Sequence, residues 1–529
     1  MHETGLAAEG ESVSAGGSEH GLRVRITSLF LPSISDVLFF ALIAILFMSG
    51  SGWSQLLLDG ETGTHIRTGE FILATRSVPV RDLYYFTSPQ TPWYAWEWLA
   101  DVVFAAMYHA AGLKGVVLFS GAIICLAMTL LFRHMVWRGV GVHIGVALSI
   151  VAADALRFHF LARPLVFTTL LAVVALWILD RDWANPGRGG WVLVPVAVLW
   201  ANLHGGFLVL IVALVLFAVA ALLLRDRVRF WHYGLLGASC TAATLINPYG
   251  WQLHLHIWKY LRSDWLVKRV DEFQSPVFRG EGMVKVEIFL FLGLISVLEL
   301  VRRRRYQEVL MIVFWAHAAL TSVRHATIYV IAAAPPIADQ LSRLWQRWTG
   351  SSARGSVMGA LRDLEHDMRP AAARTSVWVP AVVAVLAFSR VGGNWPTDFP
   401  PTFPTALLAR NAGLLAGPER GNARILSPDL WGGYLAYKFY PNRRVFVDGR
   451  SDYFGPKVLE DYLSLRSAGD HWEEAAARYG FQFALIPPDW PLARALEQNN
   501  NWVLRDQDKV ALLFERREDG TVPAGGVSR

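Results

Sequence analysis

Residues 59–69 read DGETGTHIRTG and bring two carboxylates, Asp59 and Glu61, within reach of an imidazole, His65. Side chains two residues apart point the same way in an extended segment. In a helix, Glu61 and His65 lie one turn apart on one face. Either arrangement can hold a hard divalent cation such as Mg2+ or Mn2+, which takes carboxylate oxygens and keeps several waters. Either can instead orient a general base. Glycines mixed with acids are also the ordinary composition of a turn, so DGE gains meaning only from where the chain puts it.

Other groups with chemical capacity recur at the ends of apolar runs. DALRFHFLARPL supplies Asp154, Arg157, His159 and Arg163, and WANLHGG supplies Asn202 and His204. Glu97 precedes Trp98-Leu99, Asp271 and Glu272 open DEFQSP, and Arg324 and His325 are adjacent. The planar fork of an arginine matches phosphate, which suits Arg163 and Arg324. Breaking a sugar–phosphate bond requires the leaving group's charge to be neutralised by arginine or metal. His159 and His204 also fit plain structural roles, and Asp154 is placed to pair with Arg157. No Ser–His–Asp order, nucleotide-binding glycine loop or zinc spacing occurs.

What positions these groups is a membrane. Of 529 residues, 53% are hydrophobic and only 17% charged, with 22 Trp and 29 Phe, against about 25% charged in an ordinary soluble domain. About eleven stretches are apolar enough to span: 36–57, 115–132, 140–156, 165–180, 190–203, 206–224, 231–247, 284–301, 308–322, 325–341 and 376–390. WEWLADVVFAAMYHAAG (96–112) carries Glu97, Asp101 and His109 and reads better as a helix lying at the interface. With residues 1–34 as a disordered cytoplasmic tail, every short inner loop is basic, ending in Arg302–Arg305 and the arginines after 341. The net charge of +6 therefore follows from topology and gives no reason to expect nucleic acid. The acidic and histidine-bearing loops then fall together on the outer face, where ionisable groups near lipid are costly and usually serve a cavity or partner. Trp251, Leu255, Trp258, Leu261 and Trp265 recur at helical spacing in one outer loop and predict an amphipathic interfacial helix. Cys125 and Cys240 are isolated within apolar runs and form neither a disulfide framework nor a metal site. Residues 35–391 form the transmembrane domain. Residues 392–529 open with the Pro-rich NWPTDFPPTFP and alternate strand-like ARILSP, RRVFVDG, FQFALIP and KVALLFER with helical PKVLEDYLSLRS and WEEAAARYG, predicting a small extracytoplasmic α/β domain.

This pattern resembles the GT-C superfamily of membrane glycosyltransferases, which take sugars from polyprenyl-phosphate carriers. DGETGTHIRTGEFILATRSVPVRDLYYFTSPQTPWYAWEWLAD is similar to a bacterial GT-C-like group with an acid-x-acid, His, Gly, Pro-x-x-Asp and Glu-Trp-Leu, here Asp59, Glu61, His65, Gly69, Pro79, Asp82 and Glu97-Trp98-Leu99. The ARP at Arg163, NLHGG at 202–206 and RH at 324–325 are similar to the same group's loop motifs. ILSPDLWGGYLAYKFYPNRRVFVDGRSDYFG resembles the oligosaccharyltransferase catalytic subunit near its Trp-Trp-Asp-Tyr-Gly motif, with Trp431, Gly432, Gly433, Tyr434, Arg444, Val447 and Asp448 in place. The double Trp and the acceptor-reading Asp are missing, which argues against N-glycosylation of proteins.

The resemblance implies an inverting glycosyltransferase in the bacterial inner (plasma) membrane, moving a sugar from a polyprenyl-phosphate carrier to a glycan, lipid or protein acceptor. Asp59 and Glu61 would be catalytic, with Asp59, Glu61 and Asp154 as ligands should a divalent metal be used. His65, Glu97, Arg163, His204, Arg324, His325, Trp431, Tyr434, Asp448 and Arg450 would bind substrate. A non-catalytic lipid-binding or scaffold subunit of the same fold is the alternative.

Overall fold

The computed structural model describes residues 29–48, 52–87, 92–280, 282–350, 356–388, 395–416 and 423–517. Most of the tail expected at 1–34 lies outside them.

The helical domain begins with α1 (Ile34–Met48), whose first turn is closed reciprocally: Ser33 N–H and Oγ–H donate to Asp36 Oδ2 at 2.6 and 2.7 Å, and Asp36 N–H donates to Ser33 Oγ at 3.1 Å. Ser376, just before α15 (Trp378–Phe388), donates to the same carboxylate at 2.6 Å, joining the first and last apolar helices. Between them run α2 (Glu61–Thr75), α3 (Trp98–Trp137), α4 (Val142–Ala155), α5 (Leu165–Ala184), α6 (Leu193–Leu203), α7 (Leu208–Leu223), α8 (Arg227–Ala243), α9 (Trp251–Leu261), α10 (Asp264–Arg269), α11 (Met283–Arg302), α12 (Tyr306–Thr321), α13 (Ala326–Gly350) and α14 (Val357–Ala373).

Two helical segments among the described residues, Trp98–Trp137 and Gly205–Leu223, are long and apolar enough to cross a membrane. Ile34–Met48, Val142–Ala155 and Arg188–Leu203 are apolar but shorter, so the count of eleven spans is larger than length and composition establish. α3 is broken at Ala111 (φ −149°) and Gly112 (φ 63°), which separates the segment read as interfacial from the span that follows. Positive φ is what glycine supplies without cost.

The stretch DGETGTHIRTG is not a turn. Asp59 Oδ1 accepts the Glu61 N–H at 2.8 Å, and α2 runs from that residue. Its glycines are there for close approach: a Cβ on Gly69 would stand 2.0 Å from the Asp101 carbonyl oxygen of α3.

The C-terminal unit holds α16 (Thr405–Arg410), α17 (Ala412–Ala416), β1 (Ile425–Leu426), α18 (Asp429–Phe439), α19 (Ser451–Ser467), α20 (Trp472–Tyr479), β2 (Phe483–Ile486), α21 (Pro491–Gln498), β3 (Trp502–Gln507) and β4 (Leu512–Arg516). The sheet order is β1-β2-β4-β3, with β1 parallel to β2 and the other pairs antiparallel. RRVFVDG, expected as a strand of this sheet, pairs elsewhere. Val445 bridges Tyr85 of the first long loop, Val445 N–H donating to Tyr84 O at 2.8 Å and Phe86 N–H to Val445 O at 3.2 Å. The alternation that suggested a strand is real, but its partner comes from the helical domain.

Candidate active site at the start of α2

Arg163 sits on a loop fixed from both sides. Ala162 N–H donates to Leu56 O at 2.7 Å, and Thr62 Oγ–H donates to Ala162 O at 2.9 Å. The guanidinium reaches Asp59 Oδ2 at 2.7 Å and Glu61 Oε2 at 2.5 Å, and Glu272 Oε1 lies 3.6 Å away. Burial opposes its charge, but Asp59, Glu61 and Glu272 together hold Arg163 well above its ordinary range. Burial pushes Glu61 up to about 8, and Arg163 only partly opposes this while Asp59 and Asp448 add to it. Glu272 goes the other way. Burial would raise it, but Arg163, Arg324 and His159 outweigh that and keep it below the usual carboxylate range. One cation thus serves carboxyls of unlike character, the arrangement that separates acid, base and charge roles.

Glu97, the residue before α3, stands between two imidazoles: His204 Nε2 is 3.3 Å from its Oε1, and His65 Nε2 is 3.8 Å from its Oε2. His204 Nδ1 accepts the Gly206 N–H at 2.9 Å, so the proton of the neutral ring sits on Nε2 and faces Glu97. Thr168 Oγ, 2.9 Å from the same Nδ1, accepts the Trp200 Nε1–H at 2.8 Å. Burial, then Arg324 and Arg163, hold His204 down to about 3. His65 is its opposite. Burial lowers it, but Asp101, at 2.7 Å from Nδ1, and Glu97 carry it above the usual value. One ring stays neutral and the other favours its charged form, on either side of one carboxylate.

The C-terminal unit closes on this site through Asp448, Gly449 and Arg450. Arg450 donates to Asp82 Oδ1 and Asp448 Oδ2, both at 2.9 Å, and lies over the rings of Tyr85 and Trp93 at 4.9 and 4.8 Å. Tyr85 O–H donates to Asp448 Oδ2 at 2.5 Å. Gly449 backs directly on Glu61: a Cβ there would stand 2.4 Å from Glu61 Oε1.

The structure therefore brings Asp59, Glu61, His65, Glu97, Arg163, His204, Asp448 and Arg450 into one neighbourhood. Arg324 joins it over the Phe273 ring at 4.8 Å, with its Nη1 buried and without a hydrogen-bond partner. His325 turns back, its Nδ1 3.3 Å from Ala318 O. Trp431 and Tyr434 are 5% and 0% exposed and serve packing, Tyr434 against Phe399 and Phe403. Asp154 pairs with Lys285 at 3.0 Å rather than with Arg157 or the acidic pair.

A divalent metal does not fit these donors as they stand. Asp59 Oδ1 is taken by the Glu61 N–H, and Asp59 Oδ2 and Glu61 Oε2 by Arg163. No group of three His, Cys, Asp or Glu among the described residues is arranged to hold an ion.

Asp101, Glu272, Thr168 and Trp200 complete the site without having been singled out for it. The first two were visible as acids near the span ends. Thr168 and Trp200 lie inside apolar runs, where the only hint is that a buried polar atom needs a partner.

No family model and no curated protein sequence matches the chain. Solved structures do. The oligosaccharyltransferase of Archaeoglobus fulgidus tethered to an acceptor peptide containing the NVT sequon matches with a TM-score of 0.56 at 12% identity, over 88% of this chain and 69% of that one. An apo form gives 0.52 at 12% identity over 87% and 69%. Archaeal oligosaccharyltransferase AglB from the same organism, in complex with an inhibitory peptide and a dolichol-phosphate, gives 0.52 at 11% identity over 97% and 76%. The chain shares the overall fold of these structures and is distantly similar to the oligosaccharyltransferase.

Proposed function

We propose that the chain is an inverting glycosyltransferase that moves a sugar from a polyprenyl-phosphate carrier to an acceptor at the outer face of the bacterial plasma membrane. The observation that carries this is Arg324. A buried guanidinium nitrogen without a partner is expensive, and here the group acts electrostatically on His159, His204 and Glu272, the same three side chains that Arg163 acts on. A phosphate satisfies it, by the charge-assisted pairing arginine makes best. The fold neighbour whose structure includes a dolichol-phosphate supports a lipid phosphate as the source.

In the transfer, the acceptor hydroxyl attacks the anomeric carbon as the bond from that carbon to the phosphate oxygen breaks. The polyprenyl phosphate leaves with the electron pair, its charge met by Arg163 and Arg324. Glu61 takes the acceptor proton, its raised affinity for protons placing it near the operating range of a general base. Asp59 fixes the start of α2 and one arm of Arg163. Glu97, with His65 and His204 on either side, holds the sugar or the acceptor. Gly449, exposed and against Glu61, and the half-buried Arg450 are assigned to the acceptor side of the C-terminal unit.

Purified protein in lipid nanodiscs, supplied with polyprenyl-phosphate-linked sugars, should release polyprenyl phosphate. Glu61→Gln should stop release while the protein still folds. Full release by Glu61→Gln would sink the assignment. Donor binding without release by the wild type, across a panel of acceptors, would favour the non-catalytic lipid-binding subunit.

A further inference from the structure

Acidic groups crowded into a partly buried site repel one another and demand a cation. At the start of α2 the cation is a side chain. Arg163 spans Asp59 and Glu61 with its two terminal nitrogens, at 2.7 and 2.5 Å, and approaches Glu272 at 3.6 Å. Its backbone is not free to swing away. Ala162, the residue before it, is hydrogen-bonded through both N–H and C=O, and Pro164 follows and leads into α5.

The oxygens are as constrained as the arginine. Three of the four on Asp59 and Glu61 are engaged, and the fourth, Glu61 Oε1, lies against Gly449 so closely that a single methyl there would stand 2.4 Å from it. A small divalent ion needs about six oxygens in near-octahedral array. Here it would have to expel the guanidinium, since Glu61 Oε1 is the one oxygen of the four that the other contacts leave to it. Asp154, the third acid expected as a ligand, is neutralised by Lys285.

We propose that Arg163 is the resident cation of this site, standing in place of a divalent metal, and that transfer proceeds without one. Asp59 and Glu61 each take one of the five N–H donors of a guanidinium. The remainder can meet the leaving phosphate. Unlike a metal, this cation cannot be removed by a chelator, and its charge does not depend on supply. The functional half of the inference rests on the lipid-phosphate reading above; the binding half does not.

Mn2+ binding to the nanodisc-embedded protein, followed by electron paramagnetic resonance, separates the two. The wild type should show no saturable site. Arg163→Ala and Arg163→Gln should each gain one, tighter by about tenfold or more, because two freed carboxylates become available as ligands. Adding Asp59→Asn should abolish the gain. Release of polyprenyl phosphate by the wild type should be unchanged in excess chelator. A saturable Mn2+ site in the wild type that Asp59→Asn destroys would overturn the proposal, as would chelator-sensitive release restored by Mn2+. Should the Arg163 variants not fold, the wild-type titration decides alone. A wild type that binds no Mn2+, while its variants do, but releases no product under any condition, would refute the enzyme and keep the cation.

Discussion

Gly433 of α18 lies backbone to backbone against Gly60 at the start of α2: a Cβ on Gly433 would stand 2.5 Å from the Gly60 carbonyl oxygen. The contact is mutual, since a Cβ on Gly60 would stand 2.5 Å from the Leu430 carbonyl oxygen. Gly60 lies between Asp59 and Glu61, so the C-terminal unit bears directly on the acidic pair. Gly433→Ala should destabilise the protein by about 1–3 kcal/mol, the usual cost of overpacking, and should lower transfer by displacing Glu61. Gly234→Ala in α8, where a Cβ meets nothing within 4 Å, is the control and should be neutral or slightly stabilising. Thermal unfolding followed by tryptophan fluorescence, alongside product release, reads both. Equal behaviour of the two variants would show that the contact is not tight.

This contact also marks where the sequence stops being informative. Hydrophobic runs locate most of the helices, because burial in lipid or in a bundle imposes length and composition. The break in α3 at Ala111 and Gly112 falls at the end of the segment that Glu97, Asp101 and His109 set apart in the sequence. Asp59 with Arg163, and Glu97 with His204, lie about a hundred residues apart, and chain position alone pairs neither. Charge type suggested their common face, but partner choice is set by the tertiary structure. Trp431 and Tyr434, both buried in the structure, are a further case. Aromatic side chains suit a binding surface and a packed interface equally, and only burial distinguishes them.

Arg450 tests whether the C-terminal unit is a fixed part of the site. Its charge is buried with Asp82 and Asp448, each at 2.9 Å, whose side chains are wholly inaccessible. Removing one member of such a cluster strands the others, at a cost of about 3–5 kcal/mol. Arg450→Met should therefore lower thermal stability strongly, and limited proteolysis should cut near residue 445, where the chain pairs with Tyr84 to Phe86. Asp82→Asn should be milder, because it keeps a hydrogen-bond acceptor for the guanidinium. An Arg450→Met variant as stable and as protease-resistant as the wild type would make this cluster peripheral.

Arg324 separates donor binding from chemistry. Arg324→Ala removes an unpaired buried donor, so folding should be unharmed or improved. Affinity for a polyprenyl-phosphate analogue should fall by about tenfold to a hundredfold, the worth of one charge-assisted hydrogen bond. Arg324→Lys should recover part of this, since it keeps charge but loses the fork. Tryptophan quenching by the analogue measures it. Unchanged affinity in Arg324→Ala would place the phosphate elsewhere.

Glu61 carries the pH dependence. As a general base it acts only when deprotonated, and burial pushes its carboxyl up to about 8 against the pull of Arg163. In the wild type, kcat/KM should rise about tenfold per pH unit below this value and level off above it. Stability should move the other way. A carboxyl whose folded value lies above its unfolded value of 4.5 keeps its proton in the folded state after the unfolded chain has released it. The stabilisation is complete below 4.5 and is lost as the pH climbs through about 8. Glu61→Gln has the same shape and no titration. It should be inactive at every pH, and its Tm should fall less than that of the wild type between about pH 5 and about pH 8. A wild-type rate profile that is flat across this window, or a Glu61→Gln protein whose Tm follows the wild type throughout, would remove Glu61 from the role of base.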